Sequence, residues 1–214
     1  MIYKVIGLFL FTSLLSCSSS KFVDQWKNPD IVNYEANKVL VIGITPDKDS
    51  RKIYEQALVN SFDKYDVNAV KSIDFFEKSF SEAKKTQEQL NKIENQLFEA
   101  GFDTVLFSLV TGSENKVTAV QSFNEVNKSM GGFMDYYYSN QHVFYEEYNR
   151  DSYKIYHTES ALYCICPGKE RELIWKGTID VVDPFKIERS VKDYVKVLTK
   201  KLKEQKLLIL ESRG

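Results

Sequence analysis

The stretch KVLVIGIT, Lys38–Thr45, is an unbroken run of β-branched and apolar residues that stops at Pro46. Such a run is typical of a strand that is buried on both faces of a sheet. A second run of the same character, FDTVLFSLV, covers Phe102–Val110. Sheets whose strands are buried on both faces carry helices on both sides, so these two runs predict an α/β fold.

The residues between the two runs predict two helices and a short strand. Asp49 or Ser50 is expected to cap the first helix, and Val67–Lys71 is a strand candidate. Ser79 with Glu82 and Thr86 with Gln89 fit the capping-box pattern, and the second helix ends at Gly101. The first helix is expected to bury Ile53, Tyr54, Ala57, Leu58, Ser61, Phe62 and Tyr65, and the second Leu90, Ile93 and Leu97. This β-α-β-α-β order implies parallel strands with right-handed crossovers.

The second half of the chain has a different pattern. Four strand-like runs without a helical stretch between them are expected to pair antiparallel: Lys116–Phe123, Gln141–Tyr148, Tyr153–Cys166 and Glu172–Val182. Asp183-Pro184 opens a last helix with an apolar face of Ile187, Val191, Val195, Leu198 and Leu202, and Leu207–Leu210 is a candidate terminal strand. The sequence therefore predicts a single α/β (α+β) domain with a mixed sheet and a C-terminal helix.

The first residues carry the features of a targeting segment. Lys4 supplies a positive charge, and Val5–Leu15 is an apolar run of 11 residues. A transmembrane helix needs about 20 apolar residues, whereas a signal peptide needs about 7 to 15. We therefore expect a signal peptide over residues 1–16.

Leu14-Leu15-Ser16-Cys17 resembles a bacterial lipobox. The resemblance implies cleavage after Ser16, a diacylglyceryl group on the Cys17 thiol, and an acyl chain such as palmitate on the new amine. The alternative is a secreted protein with an incidental cysteine at this position. Two or three acyl chains make a stable membrane anchor, whereas one alone binds marginally. Residues 17–37 are interpreted as a lipidated tether and lead-in, and residues 38–214 as the domain.

Ser18-Ser19-Ser20-Lys21 contains no acidic residue that resembles an inner-membrane retention signal. This favours the outer membrane, with the domain facing the periplasm.

Charge and length exclude some functions. Removal of residues 1–16 from the 214 leaves 198 residues, enough for one domain, with 28 basic and 30 acidic side chains. A nucleic-acid partner is not expected, because no basic cluster of the kind that follows phosphates is present. Gly112 and Gly131-Gly132 match no phosphate loop, and the chain has no Gly-x-Ser-x-Gly elbow. An enzyme and a cofactor are therefore not predicted.

Several short motifs together resemble a broad family of uncharacterised bacterial envelope lipoproteins. They are the lipobox, Trp26-Lys27-Asn28-Pro29, the VLVIGIT strand followed by Arg51 and Glu55, and the segment ELIWKGTIDVVDP. The resemblance implies an α/β domain loosely similar to the amino-terminal domain of TolB-type periplasmic proteins, and no established reaction. Tyr163-Cys164-Ile165-Cys166 departs from the family pattern.

Cys164 and Cys166 are two residues apart, so in a strand both side chains lie on one face. A disulfide between them would require distortion, and a strained bond of this kind is labile and redox-active. The alternative is that both are small apolar core residues, since free cysteine is among the most buried residue types.

Two further pairs have alternative interpretations. His142 lies opposite His157 if Asn149-Arg150 forms a two-residue turn, but opposite Glu159 if the loop is longer, and a zinc site would need more ligands. Arg51 and Glu55, at i and i+4, are expected to form a surface ion pair.

The segment 124–141 is long for a connection and rich in aromatic residues, including Phe133, Tyr136, Tyr137 and Tyr138. Tyrosine offers a large contact area at low entropic cost, so these residues are a candidate surface for an envelope protein partner. The alternative is a flexible hairpin tip.

The sequence thus predicts a non-enzymatic, membrane-anchored envelope lipoprotein with a binding or scaffolding role. The alternative is a periplasmic redox or metal-binding protein that uses Cys164 and Cys166.

Overall fold

The computed structural model describes residues 18–45, 47–76, 86–117, 152–165, 172–182 and 187–209. These residues form one six-stranded mixed sheet with the order β1-β6-β5-β4-β2-β3. The strands are β1 (Ser20–Lys27), β2 (Val39–Ile44), β3 (Ala69–Lys71), β4 (Thr104–Val117), β5 (Ser152–Cys164) and β6 (Glu172–Val182). The helices are α1 (Lys48–Asp63), α2 (Ser72–Phe75), α3 (Gln87–Glu99) and α4 (Ile187–Glu204). The predicted single mixed α/β domain is confirmed.

The predicted parallel half is formed by β2, β3 and β4. Strand β2 lies between the other two and pairs parallel with both, with Val39 opposite Ala69 on one side and Thr104 on the other. Helix α1 connects β2 to β3, and α2 and α3 follow β3 before β4. Residues Val39, Leu40 and Val41 are fully buried, as expected for a central strand with helices on both faces.

The other half is antiparallel, as predicted. Strands β4 and β5 form a long hairpin that continues to Val117 opposite Ser152, with a bulge between Val110 and Gly112. The predicted strand Lys116–Phe123 corresponds only at its start to the end of β4, and the predicted strand Gln141–Tyr148 lies outside the described residues.

Strand β1 was not predicted by the sequence pattern, which assigned its residues to the tether. It pairs antiparallel with β6 from Ser20 opposite Val181 to Lys27 opposite Trp175. A bulge between Phe22 and Asp24 interrupts the alternation of inward and outward side chains, so the usual signal of a half-buried strand is weak. The sheet therefore begins at the third residue after Cys17.

Two apolar clusters cover the two faces of the sheet. The larger cluster joins α1 and α4 to the inner positions of β2, β4, β5 and β6 and includes Leu58, Leu106, Leu162, Trp175 and Leu198. The smaller cluster lies beneath α3 and includes Leu40, Leu97, Phe102, Val105 and Ile165. Both clusters follow the apolar periodicity of the sequence.

The two ends of α1 and the predicted terminal strand differ from the prediction. The N-cap of α1 is Asp47, whose carboxylate accepts a hydrogen bond from the Ser50 N–H, and the helix ends before Tyr65, which is 44% exposed. The capping box of Thr86 and Gln89 is confirmed. Instead of a terminal strand, Leu207 forms an isolated bridge to Tyr34.

Candidate functional site

A cavity of about 360 Å³ lies at the carboxyl ends of β2 and β4, where α1 and α4 both begin. The ends of parallel strands are a common place for ligand sites, and this volume is within the range of small-molecule pockets. None of the described residues that line the cavity carries an ionised side chain. The lining residues are Gly43, Ile44, Thr45, Ser50, Tyr54, Ser108, Leu109, Val110, Tyr156, Thr158, Val181, Ile187, Ser190, Val191 and Tyr194.

A buried chain of hydroxyl groups forms the floor of the cavity. The hydroxyl oxygens of Tyr54 and Ser108 are 2.6 Å apart, those of Ser108 and Ser160 2.5 Å, and those of Ser160 and Tyr194 2.6 Å. The chain therefore runs from α1 through β4 and β5 to α4. The two tyrosine rings also contact each other edge to face, with 5.8 Å between their centroids. These contacts hold the two helices at a fixed separation above the sheet.

The two tyrosines stay protonated at neutral pH. Burial raises the pKa of Tyr54 well above 10, and the nearby Tyr194 adds to this shift. Burial also raises the pKa of Tyr194, although hydrogen bonds with Ser108, Ser160 and Thr158 act in the opposite direction. A neutral phenol donates and accepts hydrogen bonds but is a poor base, so these hydroxyls are suited to binding.

Ser190 is the lining residue whose hydrogen bonding is incomplete. Its side-chain oxygen is buried and has no hydrogen-bond partner within the part of the chain that the structure describes, and the residue is only 7% exposed. A buried hydroxyl without a partner costs free energy, about 1 to 3 kcal/mol in mutational data. Ser190 belongs to the lining of the cavity, so its buried hydroxyl is the group there whose hydrogen bonding a ligand would complete.

A buried carboxylate supports one wall of the cavity. Glu55 is fully buried, and its Oε1 accepts hydrogen bonds from the Gly43 N–H at 3.0 Å, the Ser72 hydroxyl at 2.6 Å and Arg51 Nε at 2.9 Å. The Ile73 N–H donates to Oε2 at 3.1 Å. The predicted ion pair of Arg51 and Glu55 is therefore confirmed, but it is buried rather than at the surface, and it connects α1 with the end of β2 and the start of α2.

A second cavity, of about 490 Å³, lies on the opposite face between α3 and strands β4 and β5. Its lining includes Phe107, Tyr163 and Glu159, and the Glu159 carboxylate is bound by Lys176 at 2.6 Å. Among the described residues, two buried side-chain oxygens lack a hydrogen-bond partner, those of Ser20 and Ser190. Neither residue lines this second cavity. The first cavity is therefore the better candidate for a binding site.

Most of the residues singled out in the sequence lie outside the described residues. They are Cys17, Phe133, Tyr136, Tyr137, Tyr138, His142 and Cys166. The cysteine pair and the histidine pair were the candidate redox and metal sites. Of these four residues, the structure describes only Cys164 and His157.

Cys164 ends β5 and is 2% exposed within the larger apolar cluster, as expected for a core position. Its sulfur is disulfide-bonded, so it is not a free thiol. The other two cysteines of the chain, Cys17 and Cys166, are not among the described residues. A sulfur at such a buried position is poorly placed for exchange with a soluble thiol.

His157 is half-exposed on the outer face of β5, away from the cavity. Its Nδ1 lies 2.7 Å from the Asp180 carboxylate, and its Nε2 lies 3.9 Å from that of Glu114. Within the described ranges, no group of three or more His, Cys, Asp or Glu side chains could hold a metal ion. The alternative of a metal-binding protein therefore finds no support among the described residues.

No sequence motif singled out the candidate functional residues Ser108, Ser160, Ser190 and Tyr194. The available signal was the position of Ser108 and Ser160 inside two otherwise apolar strands, where a hydroxyl needs a partner. Their contact depends on the strand register, which places the two residues directly opposite each other.

Comparison with known proteins gave structural neighbours only. No family model and no curated protein matches the sequence. The PelC dodecamer from Paraburkholderia phytofirmans is similar with a TM-score of 0.44 and 10% identity, over 88% of this chain and 98% of that chain. The lipoprotein GNA1162 from Neisseria meningitidis is similar with a TM-score of 0.40 and 12% identity, over 78% and 96%. Neighbours with TM-scores this low carry no inference about function.

Proposed function

We propose that this protein is a lipid-anchored protein of the bacterial envelope that binds an uncharged amphipathic small molecule in the cavity between α1 and α4. The observation that carries the proposal is the buried hydroxyl of Ser190 in the cavity lining, which has no hydrogen-bond partner among the described residues. The lipobox at Leu14-Leu15-Ser16-Cys17 supports the anchor, with the outer membrane as the proposed location. None of the described helices has the length and apolar character needed to cross a bilayer.

The described part of the lining carries no ionised group, and this favours an uncharged ligand. Transfer of a charged group into such a site costs several kcal/mol unless an opposite charge compensates it. An apolar body suits Ile44, Val110 and Val191, and a hydroxyl or carbonyl oxygen suits Ser190. Among the described lining residues there is also no general base, because both buried tyrosines resist ionisation. These features favour binding over catalysis.

The class of ligand is testable by displacement of N-phenyl-1-naphthylamine, a neutral fluorescent probe, from the purified acylated protein. We expect 1-octanol to displace the probe at least about tenfold more effectively than octanoate or octylamine, because both of the latter carry a charge. Equal displacement by all three compounds would contradict an uncharged site.

Two variants test whether the probe and 1-octanol bind in this cavity. Ser190→Ala should weaken displacement by 1-octanol about fivefold, the equivalent of one hydrogen bond of about 1 kcal/mol, while the probe itself still binds. Val191→Trp should fill the cavity and abolish probe binding. The control is Lys192→Trp, which places the same indole at the next position, where the helix is exposed. Undiminished probe binding by Val191→Trp would place the site elsewhere.

The aromatic residues Phe133, Tyr136, Tyr137 and Tyr138 remain a proposed contact surface for a protein partner in the envelope. The test is a comparison of cross-linked partners in intact cells between the natural protein and a variant with all four residues changed to serine. The same partners in the same amounts from both proteins would exclude this surface.

A further inference from the structure

The start of the sheet leaves almost no free chain between the proposed lipid and the folded body. Ser19 is already fixed: its N–H and hydroxyl both donate to Oδ2 of Asp193 at 2.9 Å, and its carbonyl accepts from the Val182 N–H at 2.7 Å. Cys17 is two residues earlier, and an extended chain spans about 3.5 Å per residue, or about 7 Å in all. The headgroup layer of a bilayer is about as thick.

The residues next to this attachment point expose apolar side chains. Val182, which is hydrogen-bonded to Ser19, is 37% exposed, and Ile187 at the start of α4 is 41% exposed. Ile44 and Val110, on the rim of the cavity together with Ile187, are 52% and 53% exposed. Apolar side chains at the boundary of headgroups and acyl chains stabilise membrane contact.

We propose that the end of the molecule that carries Ser19 and the mouth of the cavity lies directly on the bilayer surface, so that the cavity opens toward lipid. This inference rests on the proposed acylation of Cys17, since the lipid brings this end to the membrane. It gives the ligand a source: an uncharged amphiphile that enters from the membrane phase.

The opposite end of the molecule supplies a matched reference point. Helix α4 has 18 residues and is therefore about 27 Å long. Near its far end, Lys27 Nζ donates hydrogen bonds to the carbonyls of Val32 and Gln205, at 2.9 and 2.8 Å. Val32 is 77% exposed there. A probe at Val32 should lie well outside the headgroup layer if Ile187 is at the membrane.

The orientation is testable by tryptophan quenching in vesicles of phosphatidylcholine with 6,7-dibrominated acyl chains. Ile187→Trp and Val32→Trp are each made in a Trp26→Phe background, in which Trp175 remains and is fully buried. We expect the lipids to quench Ile187→Trp at least about twofold more than Val32→Trp. Equal quenching of the two variants would overturn the proposal.

A linker variant and a mass measurement separate this inference from the acylation on which it rests. Insertion of ten glycine and serine residues between Cys17 and Ser18 keeps the lipid but releases the body, so the difference between Ile187→Trp and Val32→Trp should disappear. A difference that persists with the linker would show that the short connection does not orient the body. The acyl mass of each protein is measured in parallel: its absence overturns the anchor as well, whereas its presence with equal quenching overturns the orientation alone.

Discussion

Ser19 and Asp193 are joined by two hydrogen bonds of 2.9 Å, which connect the residue before β1 to the second turn of α4. Partial burial favours the neutral acid, but the two bonds from Ser19 and the positive charges of Arg189 and Lys196 together lower the pKa of Asp193. The stabilisation from this carboxylate is therefore complete above its unfolded pKa, about 3.9, and is lost as the pH falls through the lower folded value.

We predict that Asp193→Ala frees the start of β1 without unfolding the domain. Amide hydrogen exchange at Ser19 and Val182 should accelerate at neutral pH, while exchange in β2 stays slow. In the natural protein the same two amides should lose protection only in acid, below about pH 4. Glu188→Ala is the control, since it removes a carboxylate from the first turn of the same helix. Unchanged exchange in Asp193→Ala would show that the two bonds do not hold β1.

We predict that Glu55→Ala destabilises the domain by about 3 kcal/mol, because it leaves the N–H groups of Gly43 and Ile73 and the Arg51 guanidinium without their acceptor. Urea unfolding gives the change. The matched control is Glu88→Ala in α3, which breaks the i, i+4 ion pair of Glu88 and Lys92. The side chain of Glu88 is 80% exposed and that of Lys92 is 70% exposed. Its effect should be about 0.5 kcal/mol or less. Equal effects would contradict a structural role for Glu55.

We predict that Gly177→Ala destabilises the domain by about 1 to 3 kcal/mol through overpacking. A Cβ at Gly177 would clash with the indole ring of Trp175, which is fully buried two residues earlier on β6. The indole must therefore move, and the emission of Trp175 should shift together with the urea midpoint. Gly112→Ala is the control, because a Cβ there has no neighbour within 4 Å among the described residues. An unchanged urea midpoint in Gly177→Ala would mean that the Trp175 indole moves aside without loss of stability.

We predict that the domain loses stability above about pH 10. The raised pKa values of Tyr54 and Tyr194 mean that the folded state keeps protons which the unfolded state releases. Stability is thus complete below the unfolded pKa of about 10 and falls as the pH rises, by at most about 1.4 kcal/mol per unit for each tyrosine. Urea unfolding from pH 8 to 11 should show a weaker decline for Tyr54→Phe. Tyr65→Phe, at an exposed position, is the control, and identical slopes for all three proteins would refute this account.

The parallel centre of the sheet was predictable because its strands are buried on both faces, which leaves unbroken apolar runs such as Lys38–Thr45 in the sequence. Strand β1 was not predictable, since it is an edge strand with a bulge and its alternation is broken. Spacing placed Arg51 and Glu55 on one helix face but did not indicate that this face is buried beside Gly43. The hydroxyl chain depends on the register of β4 and β5 and on the placement of two helices, which no local pattern encodes.

The place of β1 in the sheet has a consequence for how the chain matures. Its partner β6 follows about 150 residues later, so the first strand to leave the ribosome is among the last to find its neighbour. Until then the residues around Ser20 have no partner strand. Under the processing proposed for Cys17, this interval leaves them open to a processing enzyme, and completion of the sheet then withdraws them.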